Sequence, residues 1–129
     1  MSVPVMALGG AAYEGTVALR ELAPRTMISL RGDLASAKMT KAVRDAAGLA
    51  VPDRLAATFG AGTAALWMSS DELLLISPRD EQVKAMATAE KALAGSHHLV
   101  ADVSDARAAF RLEGEGAHVR EVLAKLSPA

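Results

Sequence analysis

His97, His98, Asp102 and Ser104 fall close together in the chain and carry between them the groups of a serine nucleophile and its base. Activating a serine requires a histidine that is itself oriented by a carboxylate, with the serine on a sharp turn such as Gly-x-Ser-x-Gly. No such pattern surrounds Ser104. It lies between Asp102 and Asp105, and a serine so placed caps a turn. The histidines suit a metal no better. Neighbours on a strand point to opposite faces, so His97 and His98 cannot readily share one ion, and His118 lies well apart in the sequence. Asp71-Glu72 offers two carboxylates for acid–base work, but the pair precedes an apolar run at a turn and reads as solvated. Gly114-Glu115-Gly116 opens a helix whose free N–H groups could meet a phosphate. The third glycine and the lysine of phosphate-binding loops are missing, and Glu115 would repel an anion, so the motif reads as a close-approach turn. No catalytic, cofactor-binding or metal-ligating residue is therefore assigned. Three residues stand out for partner recognition. Trp67, the lone tryptophan, is a core or an interface anchor. Arg107 and Arg111, with Arg31, read as strand residues beside apolar positions, where they could meet carboxylates of a partner.

Composition limits what these groups can serve. A chain of 129 residues suits one domain, and its 51% hydrophobic content is ample for a core. Aromatics are only 3%, so Ala, Leu, Val and Met must build that core. Fourteen basic against fifteen acidic residues, a net charge of −1, give no electrostatic case for nucleic acid or an anionic membrane. Without cysteine there are no disulfides and no thiolate chemistry, which suits a cytoplasmic location. No apolar run approaches the roughly 20 residues of a membrane span. The first basic residue, Arg20, comes after the apolar stretch 3–12, the reverse of a secretory signal.

The elements that must position these residues follow from periodicity. Residues 1–24 read as a partly ordered arm and 25–129 as a single α+β domain. Residues 26–32 alternate as a strand, with Ile28 and Leu30 on one face and Met27, Ser29 and Arg31 on the other. Asp33 is the expected N-cap of a helix over 34–47, which Gly48 ends. Strands over 55–59 and 63–68 flank a Gly60-Ala61-Gly62 turn, and Leu73-Leu74-Leu75-Ile76 reads as a strand covered on both faces. Asp80 is expected to cap a helix over 81–94, with Val83, Met86, Ala87 and Leu93 inward. Residues 97–103 and 107–113 are expected to pair as the last two strands. Val119, Val122, Leu123 and Leu126 then recur at i, i+3, i+4 and i+7 on a final helix. The order is β-α-β-β-β-α-β-β-α, an α+β plan with one mostly antiparallel sheet and helices packed on it.

Several of these segments, taken in order, resemble the gamma subunit of heterotetrameric sarcosine oxidase. They are Arg31-Gly32-Asp33-Leu34, Trp67-Met68-Ser69-Ser70-Asp71-Glu72-Leu73-Leu74-Leu75, Asp102-Val103-Ser104-Asp105-Ala106-Arg107, Gly114-Glu115-Gly116-Ala117 and Val122-Leu123-Ala124-Lys125-Leu126. The resemblance runs from about Pro24 to Pro128. It implies a fold like the folate-binding domain of aminomethyltransferases, whose wider pattern usually has proline where Glu115 stands. It further implies a non-catalytic assembly subunit of an enzyme that oxidatively demethylates sarcosine and passes the one-carbon unit to tetrahydrofolate. FAD, FMN, NAD and the folate site would belong to the alpha and beta subunits, zinc to the delta subunit, and no cofactor to this chain. The corresponding subunit of an N-methylglutamate dehydrogenase, or a stand-alone folate-binding or one-carbon-transfer domain, are the alternatives. Family members continue past the helix ending near Leu126, whereas this sequence stops at Ala129. The expected consequence is an uncovered sheet edge, an association hazard unless a partner subunit or a second copy of the chain covers it.

Overall fold

The computed structural model describes residues 3–127. Residues 1–2 of the expected arm and 128–129 of the expected domain lie outside the described residues. The chain forms two compact units. One runs from Arg25 to Ala106; the other joins the segment up to Pro24 with the chain from Arg107 onward.

In the first unit the strands are β3 (Thr26–Arg31), β4 (Ala57–Phe59), β5 (Ala64–Ser69), β6 (Glu72–Ser77) and β7 (Leu99–Asp102). They form an antiparallel sheet in the order β4-β5-β6-β3-β7. Register aligns apolar residues into rows across it. Ala65 faces Leu75 and Leu75 faces Ile28; Trp67 faces Leu73, Leu73 faces Leu30 and Leu30 faces Val100. These rows meet Met39, Ala42 and Val43 of helix α1 (Ala37–Ala47) and Ala85, Ala89 and Leu93 of helix α2 (Gln82–Leu93) in one core. Met27, Ser29 and Leu74, on the alternate positions, are buried as well, which fits the unbroken apolar run of β6.

Local chemistry explains the boundaries of α1. Its N-cap is Ser36, whose hydroxyl accepts from the Met39 N–H at 3.1 Å. The expected cap, Asp33, instead takes the Ala35 N–H at 3.0 Å in the preceding turn. Gly48 ends the helix at φ 70, donating its N–H to the Arg44 carbonyl, the left-handed stop that the sequence predicts. Helix α2 has no side-chain cap; Asp80 belongs to a 3-10 turn, Arg79–Glu81, that leads into it. Its inward stripe is Ala85, Ala89 and Leu93, with Met86 half-buried, whereas Val83 is 82% exposed and Ala87 is exposed too.

The second unit revises the expected arm. β1 (Ala12–Tyr13) pairs with β2 (Ala18–Glu21), and β2 pairs with β8 (Phe110–Glu113), in a three-stranded antiparallel sheet. The Glu21 carboxylate, 4% exposed, accepts the backbone N–H groups of Leu8 and Gly10, each at 2.9 Å, and so holds the loop before β1. The chain from Arg107 onward groups with the N-terminal strands in this unit, and Arg25–Ala106 forms the other. The expected pairing of the last two strands also fails, and one sheet becomes two, because β7 pairs with β3 while β8 pairs with β2. The connection between β7 and β8 lacks a hairpin turn and carries a 3-10 turn, Ser104–Ala106. Helix α3 (Gly116–Leu126) follows, with Val119 and Val122 half-buried but Leu123 exposed and Leu126 75% exposed. The α+β class and the order of elements from Thr26 onward stand as read from the sequence.

Candidate functional site

The residues with chemical potential are distributed over separate places, each explained by local bonding. Ser104 is buried where β7 ends. Its hydroxyl accepts the Met27 N–H at 2.9 Å and lies 2.5 Å from Asp102 Oδ1, the oxygen that also accepts the Ser104 N–H at 3.0 Å. The second Asp102 oxygen is taken by Gln82 Nε2 of α2. Aspartate and serine therefore pin the turn after β7 to the start of β3, and no histidine belongs to the group.

Asp71 and Glu72 are more than solvated carboxylates. Glu72 accepts from Ser29 Oγ at 2.8 Å and from Arg31 at 3.0 Å, its side chain only 19% exposed. Asp71 accepts from Ser69 Oγ at 2.7 Å and stands 3.8 Å from Arg31. The Ser69 hydrogen bond, and then the Arg31 charge, hold its carboxyl below the ordinary carboxylate range. Ser29, Arg31 and Glu72 come to share a face only once β3 pairs with β6 in this register.

Beside this network lies a cleft of about 630 Å³, lined among others by Arg31, Asp33, Leu93, His97, His98 and Leu99. Gly32 closes one side. Its φ is 154, and a Cβ there would sit 3.2 Å from the His97 carbonyl oxygen, so glycine lets the end of β3 approach the start of β7. His97 is exposed, while His98 turns inward between Ser96 and Glu90. No sequence spacing announces the Glu90–His98 pair; it arises because the tight turn after α2 folds β7 back along it. His118 lies on α3, 3.7 Å from Glu115. No group of three or more histidine, aspartate or glutamate side chains able to hold a metal occurs among the described residues.

The expected recognition residues are dispersed. Trp67 is half-buried on β5 and packs against the core. Arg111 is exposed on β8, 3.7 Å from Glu113. Arg107 is exposed in the segment before β8, and so is not the strand residue expected. Gly114 runs against Thr16 and Val17, where an added Cβ would lie 3.4 Å from the Thr16 carbonyl oxygen, in keeping with the glycine-turn reading.

Among the described residues, two antiparallel sheets, three helices and polar groups bonded in the turns between them define an α+β scaffold. Comparison with known proteins gives that scaffold a family. Residues 31–128 match the model of the sarcosine oxidase gamma subunit family. Sarcosine oxidase subunit gamma of Corynebacterium sp. (strain P-1) is 36% identical over 126 residues, covering 96% of this chain and 59% of that protein. The same subunit of an Arthrobacter species matches with the same identity and coverage. Among solved structures, a chain of the heterotetrameric sarcosine oxidase from Corynebacterium sp. U-96, in complex with pyrrole 2-carboxylate, superposes with a TM-score of 0.73 at 32% identity, over 92% of this chain and 60% of that one. The chain belongs to the sarcosine oxidase gamma subunit family. It spans about 59% of the length of the curated relatives it matches.

Proposed function

We propose that this chain is a non-catalytic assembly subunit of a heterotetrameric, sarcosine oxidase-like complex. The observation that carries the proposal is the family match sustained over nearly the whole chain, in sequence and in fold. Support comes from the way Asp102, Ser104, Asp71, Glu72 and His98 are each engaged in bonds that shape the fold. The half-covered stripe of α3, with Leu123 and Leu126 exposed, supports docking. In this reading flavin and tetrahydrofolate chemistry resides in partner subunits of the alpha, beta and delta kinds, in the cytoplasm, and the complex demethylates sarcosine. Arg107 and Arg111 offer donors to partner carboxylates, and the half-buried Trp67 a further contact. The terminal strands of the five-stranded sheet, β4 and β7, are where a partner strand, or a second copy, would add.

Co-expression of the tagged chain with flavoprotein subunits, followed by affinity capture, tests this. Co-elution of flavin absorbance in fixed proportion to the chain is expected. The proposal is overturned if the chain elutes alone and its Trp67 fluorescence is saturably quenched by tetrahydrofolate, since that marks an independent folate-binding domain.

A further inference from the structure

The turn from α2 into β7 is held by an unusual set of bonds. Lys38 of α1 donates to the Ala94 carbonyl at 2.6 Å, and Ser96 bonds back to the Leu93 carbonyl through both its N–H and its hydroxyl. His98 makes the remaining ties. Its Nδ1 is 2.8 Å from the Ser96 carbonyl oxygen and its Nε2 is 2.9 Å from Glu90 Oε2. A carbonyl and a carboxylate only accept hydrogen bonds, so both ring nitrogens must donate, and only the imidazolium does that. The His98 side chain is 16% exposed, and the Glu90 carboxylate meets it from the half-exposed surface of α2.

We propose that His98 is a proton-operated latch: as an imidazolium it ties the 94–98 loop to α2 and fixes one wall of the cleft, and on losing its proton it frees that wall. The loop contributes Ser96, His97 and His98 to the cleft, so its freedom sets the shape that an incoming group meets. The charges around the ring come from every neighbouring element. Glu90 on α2 favours the proton and Lys38 on α1 opposes it. Arg31 at the end of β3, Asp33 before α1, Asp71 between β5 and β6, and His97 in the loop itself share the cleft. The Glu90 hydrogen bond, then that of the Ser96 carbonyl, raise the His98 pKa above the ordinary histidine value. The sign follows from linkage. Stabilisation by the latch is complete below the ordinary histidine pKa of about 6.5 and is lost as pH rises through the higher folded-state value.

The test is ring-nitrogen NMR of the full chain across neutral pH, with amide hydrogen exchange of Gly95, Ser96 and His97 followed in parallel. His98 should titrate with a midpoint above the ordinary histidine value, and both its nitrogens should be protonated below that midpoint. Loop exchange, corrected for its intrinsic pH dependence, should accelerate through the same midpoint. Glu90→Gln should lower that midpoint and Lys38→Met should raise it, opposite shifts that mere loosening of the loop would not produce. A His98 midpoint at or below the ordinary histidine value, midpoints unmoved by either variant, or loop exchange indifferent to His98 titration would each overturn the proposal.

Discussion

Replacing Ser104 with alanine should destabilise the protein out of proportion to the single atom removed. The hydroxyl is the acceptor for the Met27 N–H, and both residues are buried, Ser104 at 7% exposure. Without it, a main-chain donor at the head of the central strand β3 has no partner and no water. An unsatisfied buried donor costs about 1–3 kcal/mol. Asp102 Oδ1 loses one donor but keeps the Ser104-position N–H and so adds little. Taking about 2 kcal/mol, and roughly 3–6 °C per kcal/mol for a chain of this size, the midpoint should fall by about 6–12 °C. Asp102→Asn leaves the Met27 bond in place and should cost distinctly less. Thermal and urea unfolding followed by far-ultraviolet circular dichroism measure both. If Ser104→Ala unfolds within about 0.5 kcal/mol of the parent, as an exposed serine would, the account of this turn as a structural clamp is wrong.

Other substitutions probe the remaining parts. Leu30, fully buried between Leu73 and Val100 in its row, should cost about 2–5 kcal/mol as alanine, whereas Val83→Lys on the exposed face of α2 should stay within about 0.5 kcal/mol; urea midpoints compare them. Glu21→Ala removes the acceptor of the Leu8 and Gly10 N–H groups and should speed thermolysin cleavage within residues 5–8 by about tenfold or more, with Glu21→Gln milder. Because its pKa is lowered in the fold, Asp71 contributes stability that is present above the ordinary carboxylate pKa and lost as pH falls through the folded-state value. Carboxyl NMR should show its midpoint rising in Ser69→Ala and, by less, in Arg31→Met.

What the sequence disclosed depended on whether one period or one residue could decide. Strand β3 alternates cleanly and Gly48 can only be a stop, so both were legible. Helix α2 carries apolar side chains round much of its circumference, so apolar periodicity placed Leu93 and Met86 rightly but took the exposed Val83 and Ala87 for inward residues. The polar residues held the answer, since Lys84, Thr88 and Lys91 recur at i, i+4 and i+7 opposite Ala85, Ala89 and Leu93. Strand β2 hid because Leu19 and Arg20 at its centre are both exposed, and its one buried residue, Glu21, is a carboxylate whose partners are N–H groups of an earlier loop. The separation of β7 from β8 was invisible for a related reason: sequence neighbours are the default strand partners, and the bond that ends β7 reaches back from Ser104 to Met27. The Arg31–Glu72 and His98–Glu90 pairs likewise exist only once distant strands and helices are in register.

The central claim is that this chain supports chemistry carried out by others, and a sarcosine turnover assay tests it most directly. Three samples are compared: the chain alone, the flavoprotein subunits alone, and the two combined. The account predicts no turnover by the chain by itself, and a gain in the activity or thermal lifetime of the flavoprotein subunits when it joins them in a defined complex. Demethylation of sarcosine by the isolated chain, or flavoprotein subunits that neither bind it nor change on its addition, would contradict the account.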